Sequence, residues 1–450
     1  MLKIFDVETA TKTILKRIPP DETVVSPAML DRLATTFGEP VTPEEAVKRI
    51  LRDVRLRGDA SLRDWSAKLD GFPEDAPLRV PPETLAAALE ALDAPTRAAL
   101  ETAAVRIREF HRRQPLTSWF THELGGTLGQ MIRPIQRVGL YIPGGTAPYP
   151  STLLMSAIPA QVAGVKDIVV VSPPLRSLHL DSPFPISPII LAACALVGIS
   201  EVYALGGAQA IGALAYGTES VPAVDKILGP GNLFVTLAKR QVFGVVGIDG
   251  LAGPTETMVI ADETANPAWV ASDMLAQAEH DVLASAILLT PSQHLAEAVQ
   301  VEVGRQMEDL PRADILAQSL PGKSGIVIVR DLDEAADVNN RYAPEHLCLS
   351  VAEPWSLSQK ITNAGGIFMG EHSFEVLGDY IAGPSHVMPT GGSARFSSPL
   401  NVLDFVHIIS LIALDPATTA KIAPDAAIIA RAEGLEGHAR SALQRIESRE

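Results

Sequence analysis

The stretch "VGLYIPGG" (138–145) is a short apolar run that ends in proline and glycine, and a helical pattern, "STLLMSAIPAQVAG" (151–164), follows it. The same alternation continues with three more apolar runs, "DIVVVSPP" (167–174), "EVYALGG" (201–207) and "VDKILGPG" (224–231). Buried parallel strands have this composition because helices cover both of their faces. Repeated strand–helix–strand units imply right-handed crossovers, so the stretch predicts an open parallel α/β sheet.

A second series of the same kind begins at "TETMVIAD" (255–262). A helix is predicted after it, with Asn266 as its N-cap and Pro267 at its first position. Further strands are predicted at "SAILLT" (285–290), "GIVIV" (325–329), "HLCLSV" (346–351) and "GGIFMG" (365–370). The fold class that follows is α/β, with two Rossmann-like open parallel sheet domains.

The segments around these two series have other patterns. A helical region extends from Thr42, which reads as an N-cap before Pro43, to about Arg113. The predicted organisation is an irregular N-terminal arm at 1–40, a first discontinuous domain at 41–140 plus 255–400, a second domain at 141–254 and a mostly helical tail at 401–450.

The composition is that of a soluble globular protein, with 47% hydrophobic and 20% charged residues in 450. The net charge of -16 disfavours nucleic acid and anionic membranes as partners, and it suits a cationic small substrate. Two cysteines, Cys194 and Cys348, do not form a disulfide framework, so we expect a reducing, cytoplasmic environment. The first twelve residues lack the apolar core of a signal peptide, and no apolar run has the roughly 20 residues that span a bilayer.

Glycine-bearing turns end three of the predicted strands, at "YIPGG" (141–145), "LGGAQ" (205–209) and "LGPGN" (228–232). Ligands of open parallel sheets bind beyond the carboxyl ends of the strands, where glycine and a helix N-terminus can approach phosphate. The standard G-x-G-x-x-G fingerprint is absent from these turns. The residues alone leave open whether the turns bind a nucleotide or only reverse the chain.

Polar side chains suited to a divalent ion are scattered over the second half of the chain. Gln277 and His280 are three apart on a predicted helix and share a face, although a solvated helix end is the simpler interpretation. Asp379 lies in a glycine-flanked turn seven residues before His386, in a loop typical of a functional site. The spacing of these residues does not establish that they share one ligand.

Eight motifs together resemble the histidinol dehydrogenase family, in the same order and from about Thr42 to the C-terminus. They are "VGLYIPGG", "GGAQAI", "GPGN", "AGPTE", "QAEHD", "YAPEHL", "GDY" with "PSHVMPTGG", and "EGLEGH". The resemblance implies oxidation of L-histidinol to L-histidine, the last step of histidine biosynthesis, with reduction of two NAD⁺. It also implies one zinc ion per subunit and a homodimer with interwoven tails.

The resemblance assigns roles to individual residues of this chain. Zinc ligation is implied for Gln277, His280, Asp379 and His438, the last supplied by the other subunit. Acid–base catalysis is implied for Glu345 and His346, and NAD contact for Tyr141, Gln209 and Asn232. Substrate contact is implied for Thr255, where the family usually has Ser, for Glu433, and for Gln277, His280, His346, Asp379 and His438.

The chemistry of this reaction suits the "YAPEHL" segment (342–347). A neutral imidazole is a suitable base for an alcohol proton, and a carboxylate can activate the water that hydrates the aldehyde. Adjacent residues of an extended strand point to opposite sides, so Glu345 and His346 must lie at a bend near Pro344.

A rival covalent route would use Cys348, two residues after His346, as a nucleophile towards the aldehyde. No basic residue flanks Cys348, which favours a buried structural thiol. For His386, support of the substrate pocket is favoured over zinc ligation.

Two other functions remain open from the sequence. A related zinc and NAD dehydrogenase could oxidise another small diol or a sulfonated alcohol, although a sulfonate would call for Arg or Lys in place of Glu433. A zinc-dependent hydrolase could use metal-activated water. The segment "RSLHLDSPFPIS" (176–187) reads as an insertion relative to the family, and it is interpreted as a longer surface loop.

Overall fold

The computed structural model describes residues 2–17, 25–73, 76–144, 148–175 and 185–447. The strands are β1 (Ile4–Asp6), β2 (Arg79–Val80), β3 (Trp119–Thr121), β4 (Thr127–Pro134), β5 (Arg137–Tyr141), β6 (Asp167–Ser172), β7 (Glu201–Ala204), β8 (Lys226–Leu228), β9 (Gly247–Ile248), β10 (Glu256–Ala261), β11 (Ser285–Thr290), β12 (Gly325–Ile328), β13 (His346–Ser350), β14 (Gly366–Met369) and β15 (Val406–Ala413).

The helices are α1 (Val7–Lys12), α2 (Pro27–Phe37), α3 (Pro43–Arg57), α4 (Asp59–Asp70), α5 (Pro82–Glu90), α6 (Ala94–His111), α7 (Pro150–Ala163), α8 (Pro188–Leu196), α9 (Gly207–Tyr216), α10 (Leu233–Val242), α11 (Pro267–Ala278), α12 (Gln293–Met307), α13 (Ala313–Lys323), α14 (Leu332–Tyr342), α15 (Pro354–Ser358), α16 (Glu375–Tyr380), α17 (Pro416–Ala432) and α18 (Glu436–Glu447). Two predicted helix starts are confirmed, since Thr42 caps α3 and Asn266 caps α11 through their side chains. Among the described residues, no helix has the length and hydrophobicity that a membrane crossing requires.

The first large sheet has six parallel strands in the order β1-β12-β11-β10-β13-β14. Every residue of its central strands β10 and β11 is buried. Along β10, Val259 and Ala261 pack into one hydrophobic cluster, whereas Met258 and Ile260 pack into another on the opposite face. Helices cover both faces, which explains why these strands are nearly continuous apolar runs in the sequence.

The second large sheet has the order β2-β7-β6-β5-β8-β9, and it is parallel except for β2. Each apolar run that was predicted as a strand in 138–231 and 255–370 is a strand of one of the two sheets. The predicted α/β class with open parallel sheets is therefore confirmed. Of the segment 176–187, which was interpreted as a surface loop, residues 176–184 are not among the described residues.

The prediction of an irregular arm at residues 1–40 is wrong. Strand β1 lies at the edge of the first sheet, where Ile4 pairs with Ile326 and Asp6 with Ile328. Leu2 is buried in the core of that sheet, and the arm continues into the helices α1 and α2. A strand of three residues that ends in a charged one, Asp6, gives too short a pattern to be recognised from the sequence.

The grouping of residues 41–140 with 255–400 also differs from the structure. Helices α3 and α4 pack on α9, α5 packs on α8, and α6 packs on α7. The helices α7, α8 and α9 connect strands of the second sheet. Strand β2 joins that same sheet by pairing Arg79 with Tyr203. The amphipathic pattern of these helices identifies their apolar faces but does not specify which sheet covers them.

The chain divides into two compact units. One unit comprises residues 1–113 and 136–404 and contains both large sheets; the other comprises 114–135 and 405–450. In the smaller unit, the antiparallel sheet β15-β4-β3 is accompanied by the hairpin of α17 and α18. The predicted helical tail therefore begins with a strand, which the sequence did not suggest.

Candidate active site

The residues Glu345 and His346 lie where helix α14 leads into strand β13. Ala343 follows the helix with a φ of 51°, a left-handed conformation that is uncommon for a residue other than glycine. The bend made by Ala343 and Pro344 brings the two side chains to one side, with Glu345 Oε2 3.6 Å from His346 Nδ1. The bend that the sequence predicted at this pair is present.

The pair occupies the amino edge of the first sheet rather than its carboxyl edge. His346 is the first residue of β13 and pairs with Thr257 near the start of β10. Thr255 and Glu256 precede that position, so the entrances of two central strands meet here. Helices run antiparallel to the strands of such a sheet, which means that this edge is surrounded by helix C-termini.

The carboxylate of Glu345 is buried and fixed by two hydrogen bonds. Thr255 Oγ1 donates to Glu345 Oε2 over 2.7 Å, and the backbone N–H of Glu256 donates to the same oxygen over 3.1 Å. Burial raises the pKa of Glu345 to about 7, although the neighbouring His346 opposes this shift. A carboxyl group with this pKa can act as a base or as an acid near neutral pH.

The imidazole of His346 is buried among carboxylates. Its Nδ1 lies 3.2 Å from the backbone oxygen of Glu256, and this contact is a hydrogen bond when Nδ1 carries the proton. Its Nε2 lies 3.5 Å from Asp379 Oδ1 and has no hydrogen-bond partner in the part of the chain that the structure describes. Burial lowers the pKa of His346, but Glu375, Glu345 and Asp379 outweigh it, so the pKa lies well above its usual value.

Gln277 and His280 lie at the C-terminus of α11, close to this pair. The helix ends at Ala278, and His280 follows in a turn in which its N–H donates to the Gln277 carbonyl oxygen. The side-chain Nε2 of Gln277 donates to Thr255 Oγ1 and lies 3.3 Å from His346 Nδ1. Burial lowers the pKa of His280, while Asp379 opposes the shift.

Asp379 and a residue that the sequence had not suggested, Glu375, approach from helix α16. One ligating atom from each of His346, Glu375 and Asp379 can lie within 4.8 Å of the others. Thr257 Oγ1 donates to Glu375 Oε2 over 2.5 Å, and burial raises the pKa of Glu375 to about 8. A spacing of four residues from Asp379 would place Glu375 on the same helical face, which is the signal that could have identified it.

His386 links this edge to the second sheet. Its Nδ1 lies 2.6 Å from the backbone oxygen of Asp379, and its Nε2 lies 3.0 Å from Thr152 Oγ1 of α7. Because protein atoms contact both ring nitrogens, neither is available to a metal ion. The amino edge of the first sheet thus faces the start of α7, which follows the carboxyl end of β5.

Cys348 does not have the surroundings of a nucleophile. Its side chain belongs to the hydrophobic core of the first sheet, and its Sγ lies 4.0 Å from Glu375 Oε2. Burial and then Glu375 raise the pKa of this thiol well above its usual value. A protonated thiol is a weak nucleophile, so the geometry favours a structural role.

The three residues expected to contact NAD lie at the carboxyl edge of the second sheet. Tyr141 ends β5 and its hydroxyl accepts from the Gly207 N–H over 3.3 Å. Gln209 is buried in α9 and donates to Asp70 Oδ2 over 3.0 Å. Asn232 caps α10 by accepting from two backbone N–H groups. Gly229 is required here, because a Cβ would collide with the backbone oxygen of Tyr141.

Two predicted site residues lie in the smaller unit of the chain. Glu433 is the C-cap of α17, and His438 lies in the first turns of α18. Both residues are exposed in the single chain. Their predicted roles as substrate contact and zinc ligand are therefore not explained by contacts within this unit.

Comparisons with known proteins agree with the geometry. The family model for histidinol dehydrogenase matches residues 38–446. Histidinol dehydrogenase of Deinococcus radiodurans is 53% identical over 424 residues, covering 94% of this chain and 95% of that protein. The enzyme of Thermus thermophilus is 51% identical over 400 residues, covering 89% and 94%.

A solved structure shows the same fold. The crystal structure of histidinol dehydrogenase from Elizabethkingia anophelis superposes with a TM-score of 0.89 at 34% identity, covering 99% of this chain and 98% of that chain. The family match and the high identity over nearly the whole length lead to one conclusion. The chain belongs to the histidinol dehydrogenase family.

Proposed function

We propose that this protein oxidises L-histidinol to L-histidine with NAD⁺, through the aldehyde, as the last step of histidine biosynthesis. The observation that carries the proposal is the buried Glu345–His346 pair, held by Thr255 and Glu256 in a chain of this family. The reaction removes two hydrides and needs a proton acceptor at each stage, together with one molecule of water. The two adjacent groups match these requirements.

His346 is the proposed acceptor for the hydroxyl protons of the alcohol and of the hydrated aldehyde. The contact of Nδ1 with the Glu256 carbonyl fixes the ring and directs Nε2 away from the backbone, towards Asp379. Nε2 is thus the nitrogen that can take a proton from a substrate. The surrounding carboxylates favour the imidazolium, so a bound cation would help to keep the base neutral.

Glu345 is the proposed base that activates water for hydration of the aldehyde. Its pKa of about 7 allows it to exist as a carboxylate at neutral pH and to accept a proton without a large energetic cost. Thr255 and the Glu256 N–H hold one of its oxygens, Oε2, and neither of these donors needs to move during the reaction. The Thr at position 255 thus retains a hydroxyl, and in this structure that hydroxyl orients Glu345.

A zinc ion would be held by Gln277, His280 and Asp379, with His438 supplied by a second subunit. Nitrogen and oxygen donors of this kind suit zinc. Gln277 donates through Nε2 to Thr255, which leaves its carbonyl oxygen for a ligand, and the lowered pKa of His280 keeps that ring neutral. When bound, the metal would supply positive charge that orients the amino alcohol by its nitrogen atoms.

A homodimer with shared active sites is supported by the smaller unit. Its strand β15 exposes Ile408, Ile409 and Ile412, and helix α17 exposes Ile428 and Ile429. Such a group of large exposed apolar side chains is typical of a subunit interface. We infer that a second copy covers it and that Glu433 and His438 then serve the partner's substrate and metal; sedimentation of the intact protein would test this.

The NAD⁺ site is proposed at the carboxyl edge of the second sheet, with Tyr141, Gln209 and Asn232. The helices α9 and α10 begin at this edge, and their free N–H groups favour a pyrophosphate. The free cysteines Cys194 and Cys348 are compatible with a cytoplasmic location.

The test is to mix the purified protein with L-histidinol and NAD⁺ and to follow NADH by absorbance. We expect two NADH for each histidine formed, loss of turnover after zinc chelation, and recovery with added zinc. Absence of NADH with histidinol, combined with turnover of a different alcohol, would contradict the proposal. A hydrolase or sulfonated-alcohol dehydrogenase is not favoured, because the similar proteins are histidinol dehydrogenases.

A further inference from the structure

Arg17 follows helix α1 in the N-terminal segment, before the residues matched by the family model. Its guanidinium forms a two-pronged ion pair with Glu256, in which Nη1 contacts Oε1 and Nη2 lies 2.9 Å from Oε2. The same group donates to the backbone oxygen of Tyr342 from Nε over 3.0 Å and from Nη2 over 2.6 Å. It also lies over the Tyr342 ring at 3.6 Å.

The two partners of Arg17 lie on either side of the catalytic pair. The backbone of Glu256 donates to Glu345 and accepts from His346, so it contacts both groups. Tyr342 is the last residue of α14, and only Ala343 and Pro344 separate it from Glu345. Arg17 therefore connects the strand that orients the pair to the turn that carries it.

The local structure needs such a partner. A helix C-terminus leaves carbonyl groups without intrahelical donors, and Arg17 supplies donors to the oxygens of Tyr342 and Ala343. Ala343 is held in the left-handed conformation, which is strained for a residue other than glycine. The planar fork of arginine reaches carboxylate and carbonyls at once, a geometry that lysine cannot reproduce.

We propose that Arg17 is a positioning residue for Glu345 and His346, through Glu256 and the Tyr342–Ala343 turn. This rests on the function proposed above. The N-terminal segment thereby contributes to catalysis without contacting the substrate. Loss of the guanidinium would let the turn relax, and a displacement of the pair by a fraction of an ångström would slow the proton transfers.

The experiment compares Arg17→Met and Arg17→Lys with the wild-type enzyme. The control is Arg137→Met, because Arg137 also forms a half-buried ion pair, with Glu201, but at the amino end of the second sheet. For Arg17→Met we expect kcat to fall about 30-fold, with the KM for histidinol and NAD⁺ unchanged within about twofold and the zinc content retained. In Arg17→Lys, kcat should fall less, by about fivefold, because lysine keeps the positive charge.

Chemical rescue separates positioning from a loss of stability. In Arg17→Ala, added ethylguanidinium should restore at least part of kcat, since the Arg17 side chain is 29% exposed and its place is open to a small cation. The proposal is overturned if kcat per folded enzyme stays at the wild-type value in Arg17→Met, or if Arg137→Met lowers kcat equally. Inactivity of the wild-type enzyme towards histidinol would overturn the proposed function and, with it, this role.

Discussion

The amino edge of the first sheet and the carboxyl edge of the second sheet provide two contrasting environments within one unit. At the first, ionisable groups converge: the buried residues Glu345, His346 and Glu375 and the partly buried Asp379. At the second, the expected contacts are neutral: Tyr141, Gln209 and Asn232. Both sheets are open and mainly parallel, so the fold class alone does not explain this difference.

Helix direction explains the contrast. Helices α11 and α14 end at the first edge, where their free carbonyl groups favour positive charge. Helices α7, α9 and α10 begin at the second edge, where their free N–H groups favour negative charge. A metal ion and a cationic amino alcohol would suit the first edge, whereas a dinucleotide would suit the second. In the proposed reaction, opposite ends of two similar sheets would therefore serve one active site.

The largest effect is expected for His346→Asn, at the first edge. Asparagine fits the site but cannot accept a proton, so kcat should fall by about 1,000-fold or more. Zinc content and the KM for NAD⁺ should stay near their wild-type values, as measured by metal analysis and initial rates. Unchanged turnover would remove His346 from the mechanism.

Glu345→Gln should slow oxidation of the aldehyde by about 100-fold, with a smaller effect on oxidation of the alcohol. In the wild-type enzyme the acting form is the carboxylate, whose pKa is about 7. Aldehyde oxidation should therefore rise as the pH rises through about 7 and level off above it. This rise of the rate with pH should be absent in Glu345→Gln. The measurement is a pH–rate profile of each protein with the aldehyde as substrate.

At the second edge, Gln209→Met should change binding rather than chemistry. The substitution keeps the volume but removes the amide that contacts Asp70, so the KM for NAD⁺ should rise about tenfold. The KM for histidinol should stay unchanged in initial-rate measurements. A fall in kcat without a change in the KM for NAD⁺ would contradict the proposal that the second edge binds NAD⁺ while the chemistry takes place at the first edge.

Cys348→Ser should have little effect on turnover although the residue lies close to Glu375. The thiol is buried and its pKa is raised, so it is not a nucleophile at neutral pH. We expect kcat within about threefold of the wild type. Complete loss of activity, together with a trapped covalent adduct in the wild type detected by mass spectrometry, would establish the thiol route instead.

Stability rather than turnover should change in Asp273→Asn, a substitution in the middle of α11. Burial, and then Glu371, raise the pKa of Asp273 to about 7 from its ordinary value of 3.8. A group whose pKa is raised on folding destabilises the native state as the pH rises between these values. The difference between the two pKa values corresponds to about 4 kcal/mol, so in thermal unfolding the variant should be more stable than the wild type by up to that amount at pH 8, with no difference below pH 4.

The sequence predicts the strands well because buried parallel strands are continuous apolar runs. It also places Glu345 beside His346, and a bend near Pro344, because adjacent strand residues would otherwise point apart. Strand β1 escapes prediction because three residues give no usable periodicity. The sequence also does not predict which sheet the helices α3 to α6 pack against, because many apolar surfaces could cover such helices.

Within the candidate site, Glu375 was missed although its spacing from Asp379 carried a signal. Glu256 was missed for a different reason: its backbone, not its side chain, contacts Glu345 and His346. A backbone contact does not depend on which side chain the residue carries, so the sequence does not reveal it. The roles proposed for Glu433 and His438 would require a second chain, and no spacing within one chain encodes that arrangement.

The pairing of β1 with β12 has a consequence for synthesis of the protein. Ile4 leaves the ribosome long before its partner Ile326, which is 322 residues further along the chain. The second sheet can close while the first still lacks most of its strands. Contacts of such high sequence separation slow folding and leave apolar edges unpaired for longer. We therefore expect the yield of folded protein to rise when chaperones are co-expressed or the expression temperature is lowered.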